Sequence, residues 1–172
     1  MNKLVWRNIG RFVLLMAFQL LVLSNVYLGG YVLPMLYVLF ILMLPTGMRR
    51  IPLLLIAFGT GLTVDLMNNV LGFHALACTV VAMMRIWYAD RILTRGEPIV
   101  INTPSIRNVT PQYFITYLVL MYAIFYLVYF TSELFGSRGF GDMLLATFLS
   151  TIASTLLAVL YQLLLIKKKD EV

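Results

Sequence analysis

The chain is poor in the residue types that usually carry chemistry. Its 172 residues include one cysteine, Cys78, and one histidine, His74. A lone cysteine forms no disulfide within the chain, and these numbers give no zinc-type ligand spacing. Charged residues make up 12% of the sequence, and only 7 are acids. There is no phosphate loop, no HExxH pair, no Ser-His-Asp or Cys-His set and no carboxylate pair. The sequence therefore predicts a protein that is not an enzyme and that has no metal or cofactor site. Polar residues are so scarce outside the breaks between apolar runs that this absence carries weight.

What fills the chain is apolar. The sequence is 62% hydrophobic with a mean hydropathy of +0.93, against roughly half apolar for a soluble domain. This predicts an all-α, polytopic membrane helix bundle, a single integral membrane domain over 1–172 with little room for anything soluble. Six runs approach the roughly 17–25 residues needed to cross the hydrocarbon core. They lie at about 10–25, 28–44, 51–66, 72–88, 112–130 and 143–166. The second, third and fourth are near the lower limit, so each relies on local thinning or burial within the bundle.

Charge predicts the orientation. The formal net charge is +6, but the basic residues cluster between apolar runs and do not suggest nucleic acid. Twelve of the 13 Lys and Arg residues fall at the two ends of the chain and in or beside the second and fourth connections. Arg138 alone falls on the other side. That bias predicts both termini in the cytoplasm, in agreement with an even number of spans. The stretch from Phe12 to Leu23 lacks a small-x-small cleavage site behind it and reads as an uncleaved first helix. The connection at about 89–111 is the longest cytoplasmic loop, with Pro98, Pro104 and Pro111 around the β-prone Ile99-Val100-Ile101.

Two features stand out from this background. The last run places Ala146, Ser150, Ser154 and Ala158 four residues apart, on one helix face. Small residues let membrane helices approach closely, and hydroxyls bond across the contact. That face packs either within the bundle or against a second protein or copy of the chain. The fifth run is aromatic, and its deeper Tyr122 and Tyr126 need hydrogen-bond partners or a polar cavity. The other feature is the junction between the third and fourth runs, which gathers Gly59, Gly61, Asp65, Asn68, Asn69, Gly72 and His74. An acid at the end of a membrane helix is costly unless it is solvated or paired, so Asp65 is a site candidate. A pair between Asp65 and His74 would pin the hairpin, and glycines there permit close backbone approach.

The run Ile56 to Leu66 (IAFGTGLTVDL) and the run 71–76 (LGFHAL) resemble the rod shape-determining MreD family. The shared pattern is a Gly61-x-x-x-Asp65-Leu66 helix end, a short outer turn, and a Leu71-Gly72-x-His74-Ala75-Leu76 helix start. The 89–111 loop and the Ile-Trp-Tyr after Arg85 depart from what the family pattern offers. The resemblance implies a non-catalytic scaffold of the bacterial cell-elongation complex in the cytoplasmic (inner) membrane. It also implies a bitopic MreC-like partner, with MreB-like filaments and a peptidoglycan glycosyltransferase and transpeptidase bound directly or through others. MreD-like proteins are similar in fold to the substrate-binding component of energy-coupling-factor vitamin transporters, which makes such a subunit the alternative expectation. The motif residues Gly61, Asp65, Leu66, Gly72 and His74 then have structural or partner-contact roles. Homodimerisation and contact with the lipid bilayer are further expectations, with no nucleic-acid partner.

Overall fold

In a computed structural model, residues 2–23, 31–45, 47–70, 72–93, 110–133 and 139–170 are described here, with side chains from 6, 8–23 and so on to 164. Six helices follow in order: α1 (Asn2–Leu21), α2 (Val38–Leu42), α3 (Arg50–Asn68), α4 (Phe73–Leu93), α5 (Pro111–Glu133) and α6 (Phe140–Asp170). No strand occurs among the described residues. Three helices are long and apolar enough to cross a membrane: Arg50–Asn68, Pro111–Glu133 and the Phe140–Leu164 part of α6. Two shorter apolar helices, Asn8–Leu21 and Phe73–Ala89, accompany them. Consecutive helices α3, α4, α5 and α6 pack side by side, and α2 touches α1, α4 and α5.

The bundle is built around an aromatic stripe and a small-residue stripe that face inward. Tyr117, Tyr122, Phe125, Tyr126 and Phe130 of α5 are all buried. Their rings interlock, with Tyr126 tilted at 84° to Phe125 and stacked near Phe130. On α6, Ala146, Ser150, Ser154 and Ala158 are fully buried. Large apolar side chains such as Ile51, Leu55, Leu66 and Leu164 point outward instead. In water this pattern would be an extended sticky surface; in a bilayer lipid chains solvate it.

The predicted second helix at 28–44 is not a continuous helix. Within its described part, residues 31–37 are non-helical, and only the five residues of α2 are helical. Pro34 supplies one reason, because it lacks an N–H and pushes Leu33 away from the helical region. The other reason is that neighbouring helices satisfy the exposed backbone, without which a non-helical segment could not lie buried among apolar groups. Met35 to Leu44 are no more than 8% exposed. Ser150 Oγ accepts from the Leu33 amide (3.1 Å) and donates to the Tyr31 carbonyl (3.2 Å). The Met35 amide donates to both Ser154 Oγ (3.0 Å) and the Tyr126 hydroxyl (2.9 Å). The Tyr126 hydroxyl lies 2.5 Å from the Leu33 carbonyl and 2.5 Å from Ser154 Oγ. Gln19 of α1 completes the clamp: its Nε2 donates to the Pro34 carbonyl (3.1 Å), and its Oε1 accepts from the Leu36 amide (2.8 Å). One chain segment thus draws hydrogen bonds from three helices.

This segment runs beside α6 from Asp142 to Gln162. Its start lies beside Asp142, where the Tyr31 hydroxyl is 3.5 Å from the carboxylate. Its end lies beside Gln162, whose amide meets the Met43 sulfur. At the same end the Tyr117 hydroxyl donates to the Leu42 carbonyl (3.4 Å), and Arg85 donates to the carbonyls of Ile41 (3.0 Å) and Leu44. The predicted loop at 89–111 begins later than expected, since α4 continues to Leu93; its Ile99–Ile101 stretch lies outside the described residues.

Candidate functional site

The α3–α4 junction forms a closed knot. α3 ends at Asn68, and Asn69 adopts the left-handed conformation (φ 55°, ψ 42°) that stops a helix. The Val70 amide returns to the Asp65 carbonyl at 3.0 Å. Gly72 has φ +84°, a region closed to most side chains. The chain then reverses directly into α4.

Asp65 is 2% exposed, so it does not reach water as an acid at a helix end would be expected to. It sits on the start of the next helix instead. Oδ1 accepts from the His74 amide (3.1 Å) and Oδ2 from the Ala75 amide (2.8 Å). These are the second and third residues of α4, whose amides have no partner inside the helix. A carboxylate at that position also meets the positive end of the helix dipole. Asp65 is therefore the N-cap of α4 delivered from α3, nine and ten residues earlier in the chain. With both oxygens held by amides, it is poorly placed to act as a base.

His74 does not form the expected side-chain pair in hydrogen-bonded form. Its Nδ1 is 3.6 Å from Asp65 Oδ1, beyond hydrogen-bond length, and that nitrogen is buried without a partner. The ring stands edge-on to Tyr129 (centroids 4.7 Å, 75°) and parallel to Tyr37 (6.1 Å, 1°). The hairpin is pinned by the His74 backbone rather than by its imidazole.

Gly61 explains how the two helices come so close. A Cβ on Gly61 would lie 2.5 Å from Ala75 Cα and 2.5 Å from the His74 carbonyl oxygen. The backbones touch there, one turn before Asp65. Of the five motif residues, Gly61, Asp65 and His74 thus meet in one contact, and Gly72 supplies the turn beside it. Leu66 does not join them. It is 72% exposed and projects from the outer side of α3. Gly59, two residues before Gly61, is also exposed and would meet nothing within 4 Å of an added Cβ.

A cavity of about 160 Å³ opens behind the knot, between Gln19, Pro34, Tyr37, Asn68, His74 and Tyr129 among others. Among the described residues, no group of three or more His, Cys, Asp or Glu side chains is placed to hold a metal ion. Cys78 is free and fully buried.

No family model, curated protein or solved structure matches this chain. Geometry and sequence pattern therefore carry the functional reading. The face Ala146–Ser150–Ser154–Ala158 is buried in the bundle, where Ser150 and Ser154 accept from the amides of Leu33 and Met35. Asp142 lies in the first turn of α6, and Arg138 lies outside the described residues. Residue-by-residue reading of the sequence missed Gln19 and undervalued Arg85, which looked like a topological charge. The signal for Gln19 was available: it is the lone glutamine within the first apolar run.

Proposed function

We propose that this chain is a non-catalytic membrane scaffold of the rod-shape (cell-elongation) complex in a bacterial cytoplasmic membrane, of the MreD type. Its principal partner is the transmembrane helix of a bitopic MreC-like protein. The observation that carries the reading is the convergence of the motif residues. Gly61, Asp65, Gly72 and His74 build one rigid reversal, while Leu66, in the same motif, is spent on the outside. Leu66 takes no part in that reversal and is open to a partner helix. Leu66 continues a line of outward apolar residues on α3, Leu55, Phe58 and Leu62, with Gly59 bare among them. An open glycine on such a stripe lets a second helix approach closely.

The proposed topology has six crossings with both termini in the cytoplasm. The second crossing is made by segment 31–43 in part-extended form. From Asp142 to Gln162, α6 rises roughly 30 Å at 1.5 Å per residue. Segment 31–43 covers the same distance with fewer residues. Six steps at roughly 3.3 Å and six at 1.5 Å give about 29 Å, whereas an unbroken helix would reach about 18 Å.

The test is affinity purification of the tagged chain from its own membranes in mild detergent, followed by mass spectrometry. The expected result is recovery of a bitopic scaffold together with wall-synthesis enzymes. A Cβ added at the exposed Gly59 meets nothing within 4 Å, so Gly59→Leu should leave protein levels normal while reducing recovery of the scaffold. Undiminished recovery in Gly59→Leu and Leu66→Ala would remove the α3 face from consideration. The second reading, a vitamin-binding subunit of an energy-coupling-factor transporter, draws on the cavity beside His74. Its volume of about 160 Å³ falls short of the roughly 300–1,000 Å³ typical of small-molecule sites. Recovery of a transmembrane coupling protein with paired ATPases would favour that reading instead.

A further inference from the structure

His74 is the one histidine of the chain, and its imidazole adds no hydrogen bond to the hairpin that its backbone pins. The side chain is 6% exposed, and neither ring nitrogen has a hydrogen-bond partner among the described residues. Buried polar atoms are ordinarily satisfied. The same ring lines the cavity of about 160 Å³ behind the knot. We propose that this cavity binds a small neutral compound, a single six-membered ring bearing one O–H or N–H donor, with His74 Nε2 as the acceptor.

The choice of nitrogen follows from Asp65. Nδ1 is enclosed, 3.6 Å from Asp65 Oδ1, which leaves Nε2 as the ring nitrogen that can serve the cavity. A carboxylate accepts and does not donate. Asp65 therefore favours the proton on Nδ1 and a lone pair on Nε2, so the ligand must donate. Gln19 also lines the cavity, but both ends of its amide already hold the backbone of Pro34 and Leu36.

The walls set the rest of the ligand. Tyr37 lies parallel to the His74 ring and Tyr129 edge-on to it, and both line the cavity. Aromatic walls suit a flat ring. Among the described residues no Lys, Arg, Asp or Glu side chain lines the space, so a charged compound would lose its hydration without a counter-ion. An engineered cavity of about 150 Å³ takes benzene; a space of about 160 Å³ takes one ring and excludes two. Pro34 and Met35, from the non-helical stretch 31–37, form another wall. Their backbone is fixed by Gln19, Tyr126 and Ser154, so that wall is preformed. Non-helical backbone at membrane depth is tolerated where it is buried in protein or lines a cavity. Asn68 is an exposed member of the lining, so the cavity opens beside the end of α3. The chemistry of the site does not depend on which complex the chain joins.

The test uses the full chain with isotopically labelled histidine ring nitrogens, purified in a neutral detergent without a histidine tag, so that the spectrum reports His74 alone. Phenol, benzene and naphthol are titrated in turn, with ring-nitrogen resonances and thermal unfolding as readouts. Phenol should shift the Nε2 resonance saturably and raise the melting temperature. Benzene has the same ring and no donor. It should need a several-fold higher concentration for the same rise, up to roughly tenfold, the weight of one neutral hydrogen bond. Naphthol should do neither, although its larger apolar surface carries it into micelles more readily than phenol. A naphthol response equal to phenol's would assign the effect to partitioning and overturn the proposal. Absence of a saturable Nε2 shift with phenol overturns it too, because water alone then fills the cavity. His74→Phe keeps a ring against Tyr37 and Tyr129 and removes the acceptor, so phenol should then stabilise no better than benzene. A preference for phenol retained in His74→Phe would overturn the assignment to Nε2. If that variant fails to fold, the wild-type titration still decides.

Discussion

The Met35 amide has two hydrogen-bond acceptors, and this makes a sharp prediction about coupling. It donates to the Tyr126 hydroxyl at 2.9 Å and to Ser154 Oγ at 3.0 Å. Tyr126→Phe leaves the amide with Ser154 and orphans the Leu33 carbonyl. Ser154→Ala leaves the amide with Tyr126. Each single change should cost about 0.6–1.7 kcal/mol, the average and the maximum measured for polar contacts within membranes. The double variant strips both acceptors from a fully buried amide. Leaving such a donor unsatisfied costs about 1–3 kcal/mol, and that penalty appears in neither single variant. The double variant should therefore be less stable than the sum of the singles by at least about 1 kcal/mol. The assay is a double-mutant cycle on unfolding in detergent micelles, followed by circular dichroism, with hydrogen exchange at Met35 as a local check. Exchange should accelerate strongly only in the double variant. Additivity within about 0.5 kcal/mol, the ordinary tolerance for independent sites, would refute the shared-acceptor account of this segment.

Other outcomes follow from the knot and the core. Gly61→Ala should destabilise the chain by about 1–3 kcal/mol, because its Cβ would collide with the backbone of Ala75; a melting temperature equal to wild type would contradict the close approach. Asp65→Ala should cost about 2–3 kcal/mol through two orphaned amides at the start of α4, and Asp65→Asn, which keeps one acceptor oxygen, should recover part of that loss in the same melt. Cys78, fully buried, should resist a maleimide reagent in the folded protein and react after unfolding in SDS, as read by mass shift; rapid labelling of the native protein would place it elsewhere.

The apolar runs made most of the bundle legible. α3 at Arg50–Asn68 and α5 at Pro111–Glu133 lie within three residues of the expected 51–66 and 112–130. Length and hydropathy are properties a helix displays directly, so these runs could hardly have been anything else. Segment 28–44 was misread for the same reason. Its apolar composition reports burial, not path, and a buried non-helical segment is as apolar as a helical one. The clue lay in long-range chemistry. Gln19, Tyr126, Ser150 and Ser154 are four polar groups in otherwise apolar runs, and each serves the backbone of 31–36. The spacing of Ser150 and Ser154 was visible, but their object was not, because the partner is a main chain and main chains leave no mark in a sequence. The knot was read in outline and corrected in detail. The pattern brought Gly61, Asp65 and His74 together, but that the carboxylate would choose amides over the imidazole depends on an angle of reversal fixed by Asn69 and Gly72.

The clamp on segment 31–37 also sets an order of events during synthesis. The Met35 amide finds Tyr126 and Ser154 91 and 119 residues further along the chain. When this stretch leaves the ribosome, neither acceptor exists. A Pro34-interrupted, non-helical strand has nothing in lipid to satisfy it, so its final path is fixed only after α6 has been made. The last helix is thus the one that secures segment 31–37. A nascent chain stopped before Ser150 would hold its early segment at the membrane surface or in the translocon.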